Sequence, residues 1–200
     1  MSFQVSIQDD FLPRDQFEYL RDFMTSHGGA FPWGLSDIVY PIGDPRAEHT
    51  PASFNYQFVH MFYDEGHGIR SEYMDLVEPL IAKINPSKLL RVKANLNPCT
   101  YHWVVQHDYH IDIGNEDIAS KATTAVYCIN SNDGWTAFDL GSPSPKLEDE
   151  LPPWVERPVK RNYINSCANR LISFPATVRH AGTSCTEDPY RVVININYIK

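Results

Sequence analysis

The sequence predicts an α+β fold that is mainly β, with short antiparallel strands closing into a double-sheet barrel of the jelly-roll kind. Two observations predict this class. Apolar residues at helical spacing occur in two early segments, and short alternating segments at hairpin spacing fill the rest. The chain of 200 residues fits one domain with a sizeable core. We therefore expect a single domain over 1–200, with N-terminal helices over about 8–85 packed on the major sheet of a barrel over about 88–200.

Two helices are expected in the N-terminal part, after a short alternating strand at 3–7. The first helix follows the turn DDFLP and ends at a Gly-Gly pair, which is a common C-terminal signal. The second spans 71–84 and is stopped by Pro86, because the residue before a proline avoids helical geometry. The apolar stripe of the first helix predicts core packing and comprises Phe17, Leu20, Phe23 and Met24.

Two proline-rich segments lack clear periodicity and are predicted to be loops. Residues 31–53 form the first loop, which contains a short strand at 33–40, and a further strand follows at 55–63. Residues 142–158 form the second loop, SPSPKLEDELPPWVERP, which is also acidic. Long loops in compact domains often cover or bind ligands, so the first loop points to an element on the substrate side.

The barrel strands are predicted from alternation and from β-branched and aromatic residues. The stretch YHWVVQHDYHIDIGN at 101–115 is typical of an extended strand with one polar and one apolar face. The turn SNDG at 131–134 joins two β-rich segments and indicates a hairpin. On the last strand, Arg191 and Val193 share one face, and the apolar residues that alternate with them take the other. The remaining strands are predicted at 88–96, 123–130, 135–140, 163–166, 170–174 and 191–199.

Composition and charge argue against several classes of function. A formal net charge of −8 disfavours a nucleic-acid-binding role, which rests on lysine and arginine contacts with phosphates. No segment approaches the roughly 20 apolar residues that a membrane-spanning helix needs. The N-terminus MSFQVSIQDDF lacks the features of a secretory signal, so we expect a cytoplasmic protein. The four cysteines show no Cys-x-x-Cys spacing, and reduced, buried thiols are expected instead of a zinc or redox site.

Three potential metal ligands lie far apart in the sequence. In an extended strand, His110 and Asp112 project to the same side, so an imidazole and a carboxylate reach one point. A His-x-Asp pair alone is weak evidence, since chance often produces it. His180 ends a later strand segment, and Arg191 begins the last strand after a turn-rich segment. A hairpin there is expected to bring these two side chains close.

This set of residue types suits a non-haem iron site. Two imidazoles and one carboxylate on one side of a metal leave three positions free. That arrangement suits Fe(II) that must bind both a chelating co-substrate and oxygen. The guanidinium of Arg191 can hold a carboxylate through two parallel hydrogen bonds, so it is a candidate for binding the far end of such a co-substrate.

The ordered motifs resemble the 2-oxoglutarate- and Fe(II)-dependent dioxygenases, and among them the prolyl-4-hydroxylase-like branch. His110-x-Asp112, His180 and then Arg191 at His-x10-Arg spacing carry the resemblance. It extends to TAVYCINSNDGWTAF, NRLISFPATVRHAG and IQDDFLPRDQFEYL, and so covers nearly the whole chain. The resemblance implies a double-stranded β-helix, and it is nearest to small stand-alone members, including phage-encoded ones.

The resemblance implies an iron-dependent hydroxylase. His110, Asp112 and His180 would bind Fe(II), and Arg191 would bind the C5 carboxylate of 2-oxoglutarate. The implied reaction is the oxidative decarboxylation of 2-oxoglutarate with O₂, coupled to hydroxylation of a substrate C–H bond, with ascorbate as the reductant. The free nitrogens of the two histidines are expected to need hydrogen-bond partners.

The positions around the co-substrate depart from the family pattern. Asn97 stands before a proline, where many members have a tyrosine that helps to bind the co-substrate. Tyr127 matches another frequent tyrosine of the family and is a candidate for a similar contact. Gln106 and Asp108 share the predicted strand face of the metal pair and are candidates for the pocket. His107 has the opposite parity and is expected to be a packing or surface histidine.

Three functions stay open at this point. The first is hydroxylation of a peptidyl proline, which rests on family likeness alone. The second is hydroxylation of a small metabolite by an enzyme of the same superfamily. The third is a non-catalytic, metal-binding cupin-like sensor or binding module that uses the same ligands. Succinate release separates the two enzymes from the binding module, and its dependence on a proline-rich peptide separates the two enzymes from each other.

Overall fold

The computed structural model describes residues 4–26, 29, 31–41, 44, 50, 52–139 and 162–200. The helices are α1 (Arg14–Thr25), α2 (Glu78–Ile84) and the short α3 (Glu116–Ala119), and turns of 3-10 helix lie at Ala52–Phe54 and Met74–Leu76. The strands are β1 (Ser6–Gln8), β2 (Gly34–Ser36), β3 (Gln57–Asp64), β4 (Gly68–Ile69), β5 (Lys88–Pro98), β6 (Ala122–Cys128), β7 (Trp135–Phe138), β8 (Tyr163–Asn165), β9 (Arg170–Pro175), β10 (His180–Ala181) and β11 (Tyr190–Ile199).

Most strands join one large antiparallel sheet. Its order is β1-β9-β6-β11-β5-β3-β2, and β4 pairs with β3. β11 pairs with β5 along its whole length, from Tyr190 opposite Pro98 to Ile199 opposite Lys88. On its other edge, β11 pairs with β6 from Val193 onward. Because β11 is hydrogen-bonded to β5 on one edge and to β6 on the other, its backbone fixes the positions of its side chains.

A second antiparallel sheet has three strands in the order β10-β7-β8. A cavity lies between the two sheets. Its lining includes residues of β5, β6 and β11 from the large sheet, and Thr136 on β7 and His180 on β10 from the small sheet. The chain crosses from the large sheet to the small one after β6 and again after β9, and it returns to the large sheet after β8 and after β10. Two antiparallel layers with few helices confirm the predicted mainly-β class.

The central strands of the large sheet divide their side chains by parity. Residues of β5 and β11 that face away from the cavity are buried and apolar, and they pack with the helices into the main core. The alternate residues face the cavity and are mostly polar. The predicted split of the last strand is confirmed, since Arg191 and Val193 line the cavity. The core-facing set comprises Val92, Ala94, Val192, Ile194 and Ile196.

The helices cover the apolar side of the large sheet. In α1 the predicted stripe is confirmed, because Phe17, Leu20 and Met24 are buried in the main core. α2 is shorter than the predicted span of 71–84, because its first part forms a 3-10 turn instead. Pro79 lies in the first turn of α2, where its missing N–H has no helical partner to lose. Asn85 ends the helix in the left-handed conformation.

The predicted strand over 101–115 is wrong. In the described structure this segment is irregular and joins the sheets through isolated bridges, one of which pairs His110 with His180. The cause lies at its start, where Tyr101 has a φ of +60°. The hydroxyl of Thr100 also closes a local turn by donating to a carbonyl three residues on. A left-handed residue and a closed turn interrupt the alternation that the composition suggested.

The predicted hairpin between His180 and Arg191 is also wrong. β10 carries His180 into the small sheet, whereas β11 carries Arg191 into the large sheet. The segment between them therefore crosses from one layer to the other. Both side chains nevertheless line the same cavity, from opposite walls.

The N-terminal part contains strands as well as helices. β2 and β3 lie at the predicted strands 33–40 and 55–63, and together with the unpredicted β4 they extend the large sheet beyond β5. The loop at 31–53 is described in part, and Ile38 and Val39 of this loop line the cavity. The loop at 142–158 lies outside the described residues. Among the helices that are described, none is long and apolar enough to cross a membrane.

Candidate metal centre

Three side chains from separate parts of the chain converge at one end of the cavity. One potential ligand atom from each of His110, Asp112 and His180 lies within 4.8 Å of the other two. The Nε2 atoms of His110 and His180 lie 3.8 and 3.7 Å, respectively, from the two carboxylate oxygens of Asp112. The structure thus brings together the three residues that the sequence singled out.

Hydrogen bonds to the main chain orient both imidazoles. Nδ1 of His110 lies 3.1 Å from the carbonyl oxygen of Asp108, and Nδ1 of His180 lies 3.2 Å from that of Val178. A carbonyl oxygen only accepts, so each Nδ1 carries the proton and each Nε2 keeps a lone pair. Within the described structure, Nε2 of His180 is buried without a hydrogen-bond partner. A buried lone pair beside the carboxylate of Asp112 and a second imidazole marks a place for a cation.

Polar side chains of the large sheet hold both carboxylate oxygens of Asp112. Nη2 of Arg91 donates to Oδ1 at 2.5 Å, and Nδ2 of Asn197 donates to Oδ2 at 3.1 Å. Arg91 also donates through Nε to Oδ1 of Asn197 at 3.0 Å, and the two residues are partners in the register of β5 and β11. We call Arg91 and Asn197 the carboxylate clamp. The clamp fixes the carboxylate while each oxygen keeps a lone pair for a metal.

Electrostatics keep Asp112 and His110 in protonation states that suit metal binding. Burial raises the pKa of the Asp112 carboxyl, but Arg91 and the two imidazoles outweigh it and hold this pKa well below its ordinary value. Burial, together with the neighbouring His180, lowers the pKa of His110 to about 4. Near pH 7 the carboxylate is therefore charged, and the imidazole of His110 is neutral.

Arg191 lies in the same cavity and is almost fully buried, with 2% of its surface exposed. Its Nε donates to the hydroxyl of Ser166 at 2.7 Å, and its Nη2 donates to the hydroxyl of Thr136 at 3.1 Å. Burial lowers the pKa of Arg191, and no described carboxylate opposes that shift. A buried cation without an anion is unfavourable, so this position is suited to binding a carboxylate from a ligand.

Gly134 makes room for the side chain of Arg191. A Cβ atom on Gly134 would lie 2.7 Å from Cδ of Arg191 and 2.5 Å from the carbonyl oxygen of Ser184. Both distances are shorter than real Cβ contacts, and the carbonyl belongs to the backbone, which does not move as a side-chain tip does. In the sequence this glycine belonged to a predicted hairpin at 131–134. That hairpin is wrong, because β6 lies in the large sheet and β7 in the small one. In the structure its lack of a side chain also sets the position of the guanidinium.

The cavity floor between the metal cluster and Arg191 is polar. Lys93, Asn95 and Asn97 of β5 and Asn195 of β11 line it. Oδ1 of Asn95, Nδ2 of Asn97 and Oδ1 of Asn195 are buried without hydrogen-bond partners in the part of the chain that is described. The cavity has a volume of about 60 Å³ and is partly open to solvent.

The two residues predicted to assist co-substrate binding lie in different places. Asn97 lines the cavity and is the register partner of Arg191. Tyr127 does not line it, because its ring packs in the main core and its hydroxyl donates to Oδ1 of Asn169 at 2.6 Å. The parity of β6 explains this correction. Val126 takes the cavity side of the strand, so Tyr127 takes the core side.

His107 is buried and lines the cavity, which corrects its expected exclusion from the site. The expectation used strand parity, and the segment is not a strand. Burial and the nearby Arg191 lower the pKa of His107 to about 3, so it is neutral near pH 7. Gln106 and Asp108, the predicted pocket residues, do not line the cavity. Gln106 accepts a hydrogen bond from an indole at 3.4 Å, and Asp108 accepts one from the main chain at 3.3 Å.

Comparison with protein-family models and with curated proteins finds no match. Solved structures match over nearly the whole chain. A prolyl-4-hydroxylase from Pseudomonas putida matches 100% of this chain and 93% of its own at 16% identity, with a TM-score of 0.55. A prolyl hydroxylase from Trichoplax adhaerens, in complex with a hypoxia inducible factor peptide fragment, matches 98% and 83% at 13% identity, with a TM-score of 0.57. The epimerase SnoN, in complex with Fe3+, alpha ketoglutarate and nogalamycin RO, matches 98% and 78% at 16% identity, with a TM-score of 0.53.

These similarities confirm the fold. The matching structures include prolyl hydroxylases and other 2-oxoglutarate- and Fe(II)-dependent oxygenases, and this chain has their jelly-roll, double-stranded β-helix fold. The double-stranded β-helix that the motif resemblance implied is thereby confirmed. At such low identity, activity and substrate have to be argued from the cavity of this chain.

Proposed function

We propose that the protein is an Fe(II)- and 2-oxoglutarate-dependent oxygenase that hydroxylates a C–H bond of its substrate. One observation carries the proposal. The buried Nε2 of His180 has no partner among the described residues, and it lies beside a carboxylate oxygen of Asp112 and near the imidazole of His110. This orphaned lone pair is explained when the three side chains share a cation.

The donor set of the cluster fits Fe(II). Two neutral imidazoles and one carboxylate are the ligands of non-haem Fe(II) oxygenases, whereas structural zinc sites have four protein ligands. The described cluster contains three such side chains, His110, Asp112 and His180, so positions remain for a co-substrate and O₂. When bound there, Fe(II) supplies the coupling of 2-oxoglutarate decarboxylation, which yields succinate and CO₂, to hydroxylation of a C–H bond by O₂.

The protein contributes positions and charges to this reaction. Arg191 holds the C5 carboxylate of 2-oxoglutarate, and its hydrogen bonds to Ser166 and Thr136 fix the direction of the guanidinium. Asn97 is the register partner of Arg191, and its unpaired Nδ2 is placed to donate to the same ligand. At the other end, the carboxylate clamp prevents Asp112 from turning away from the cluster.

Metal and co-substrate binding test the proposal directly. Isothermal titration with Mn(II), and then with 2-oxoglutarate, is expected to show one site for each in the wild-type protein. His180→Ala is expected to lose Mn(II) binding, because it removes one of three ligands. His67→Ala is the matched control, since His67 is an exposed histidine paired with Asp64. Wild-type protein that binds no divalent metal, or His180→Ala with full affinity, would contradict the proposal.

Succinate formation tests the catalytic part of the proposal. The wild-type protein with Fe(II), 2-oxoglutarate and ascorbate is expected to release succinate slowly even without a primary substrate. Replacing His180 is expected to stop this release, because the remaining two ligands do not hold the metal. Succinate formation that persists without the metal, or that survives His180→Ala, would contradict the assignment of the site.

A non-catalytic binding module is the second candidate, and one observation favours it. Arg91 already neutralises Asp112, so the carboxylate is paired even without a metal. In such a module, Arg191 would bind 2-oxoglutarate or a similar acid whether or not Mn(II) is present. 2-Oxoglutarate affinity that is independent of metal, together with no succinate, would favour the module over the oxygenase.

A further inference from the structure

Lys93 is a cation in the cavity that the proposed reaction does not use. It lies on the cavity face of β5, between Arg91 of the clamp and Asn95, and lines the same space as the metal cluster. In the register of the large sheet it stands opposite Asn195 on β11 and Met61 on β3. Neither partner carries a negative charge.

The charges around Lys93 do not balance. Arg91 is paired with Asp112 at 2.5 Å, so this carboxylate has a cation of its own. A divalent metal and the dianion of 2-oxoglutarate cancel each other in net charge. The ammonium of Lys93 and the guanidinium of Arg191 then remain as two positive charges, and the described residues that line the cavity include no other carboxylate than Asp112. A third, anionic ligand would offset part or all of this positive charge.

Two unpaired amide oxygens lie on the same floor as Lys93. Oδ1 of Asn95 and Oδ1 of Asn195 are buried, and neither has a hydrogen-bond partner within the described structure. A buried acceptor without a partner is unfavourable, because it has lost its hydrogen bonds to water. Hydroxyl or amino groups of a ligand would satisfy these oxygens. The floor therefore matches a ligand that combines an acidic group with hydrogen-bond donors.

We propose that Lys93 binds a carboxylate or phosphate of the primary substrate, and that the protein hydroxylates a small acidic molecule. This inference rests on the proposed oxygenase function and names the substrate class for its site. A peptidyl proline fits the floor less well, since its ring is neutral and its amide nitrogen has no hydrogen to donate. With such a substrate, Lys93 and the amide oxygens of Asn95 and Asn195 would stay unpaired.

Small probes test the proposal on protein loaded with Mn(II) and saturated with 2-oxoglutarate. Mn(II) accelerates the proton relaxation of molecules that bind near it, and acetate and acetamide differ mainly in charge. We expect relaxation of acetate to be enhanced at least five-fold more than that of acetamide. Lys93→Met should reduce the acetate effect to the level of acetamide, and Lys93→Arg should retain it. Inorganic phosphate, followed by phosphorus relaxation, shows which of the two anions the site prefers.

An exposed lysine on the same strand provides the control for this test. Lys88→Met changes an exposed lysine at the start of the same strand and should leave acetate relaxation unchanged. Equal enhancement of acetate and acetamide would overturn the proposal. So would full enhancement in Lys93→Met, because acetate would then bind the metal or another group. Lys93→Met should melt at or above the wild-type temperature, since it removes a cation for which the described residues provide no salt bridge.

The affinity for 2-oxoglutarate separates this proposal from the oxygenase proposal. Lys93→Met is expected to bind 2-oxoglutarate with wild-type affinity in the presence of Mn(II). A ten-fold loss would place Lys93 in the co-substrate site, and it would overturn the present inference while the oxygenase proposal stands. Wild-type protein that binds no 2-oxoglutarate would overturn the oxygenase proposal, and the acetate and acetamide comparison can still be made on the Mn(II)-loaded protein.

Discussion

The two faces of β5 and β11 differ in their side chains and in what these side chains contact. The face toward the helices presents Val92, Ala94, Ile194 and Ile196, all buried in the main core. The face toward the cavity presents arginine, lysine and asparagine side chains, several of them with unpaired polar atoms. Alternation along a strand therefore separates the residues that stabilise the fold from those that line the cavity. We expect substitutions on the core face to leave ligand affinity unchanged, and substitutions on the cavity face to leave the free energy of unfolding unchanged.

The largest effect on stability is expected from the core face. Ile196→Ala removes a fully buried side chain and should lower the free energy of unfolding by about 2–5 kcal/mol. Urea denaturation measures this loss, and Ile69→Ala, whose side chain is 68% exposed, serves as the control. Mn(II) affinity of the folded variant should equal that of the wild type. A parallel fall in metal affinity would show that the two faces are coupled.

The largest effect on binding is expected from the cavity face. Arg191→Met should weaken 2-oxoglutarate binding by about 30-fold or more, which corresponds to roughly 2 kcal/mol or more. The free energy of unfolding should change little, because an apolar chain replaces a buried cation that lacks an anion. Titration calorimetry and urea denaturation measure the two quantities. Arg170→Met, which breaks a surface pair with Asp9, should leave 2-oxoglutarate affinity unchanged.

The same comparison explains how much of the fold the sequence could predict. The apolar stripe of α1 and the alternation of β11 are local signals, and both were interpreted correctly. The strand predicted around His110 was wrong. The composition of this stretch favours a strand, but the left-handed Tyr101 and a local turn prevent one. The predicted hairpin between His180 and Arg191 was wrong, because long-range pairing places β10 and β11 in different sheets. Patterns along a chain do not show which layer a strand joins.

The site was partly predictable for a related reason. The proposed metal ligands and Arg191 stand in a recognisable order, whereas Lys93 and the clamp do not belong to that pattern. A local signal for the clamp and for Lys93 existed, because RVKAN places Arg91, Lys93 and Asn95 at alternate positions. Only the structure shows that this polar face borders a cavity. Gly134 and Ser166 act through close packing around Arg191, and no sequence spacing indicates that contact.

Loss of one donor of the carboxylate clamp should weaken metal binding without abolishing it. Asn197→Leu keeps the volume at this position but removes the donor to Oδ2 of Asp112. Because an oriented ligand binds a metal more tightly, Mn(II) affinity should fall by about 10–100-fold. Competition with a fluorescent chelator measures it, and Asn165→Leu, at an exposed position on β8, is the control. Unchanged affinity would show that Arg91 alone is sufficient to hold the carboxylate.

The last test of the cavity face concerns the pH dependence of stability and the side chain of His107. Its pKa is lowered from 6.5 to about 3 by burial and by Arg191, so the unfolded chain binds a proton at pH values where the folded protein does not. Stability is therefore lost as pH falls from about 6.5 toward 3, by up to roughly 1.4 kcal/mol per pH unit.

His107→Gln has no proton to bind in either state, so its free energy of unfolding should depend less steeply on pH over the same range. Urea denaturation at pH 7, 6, 5 and 4 measures the difference, and His67→Gln controls for the loss of an exposed histidine. Equal slopes for His107→Gln and the wild type would mean that His107 is protonated in the folded cavity. In that case the cavity would carry a further positive charge beside Arg191, and the separation between a stabilising face and a binding face would be less complete than the two strands suggest.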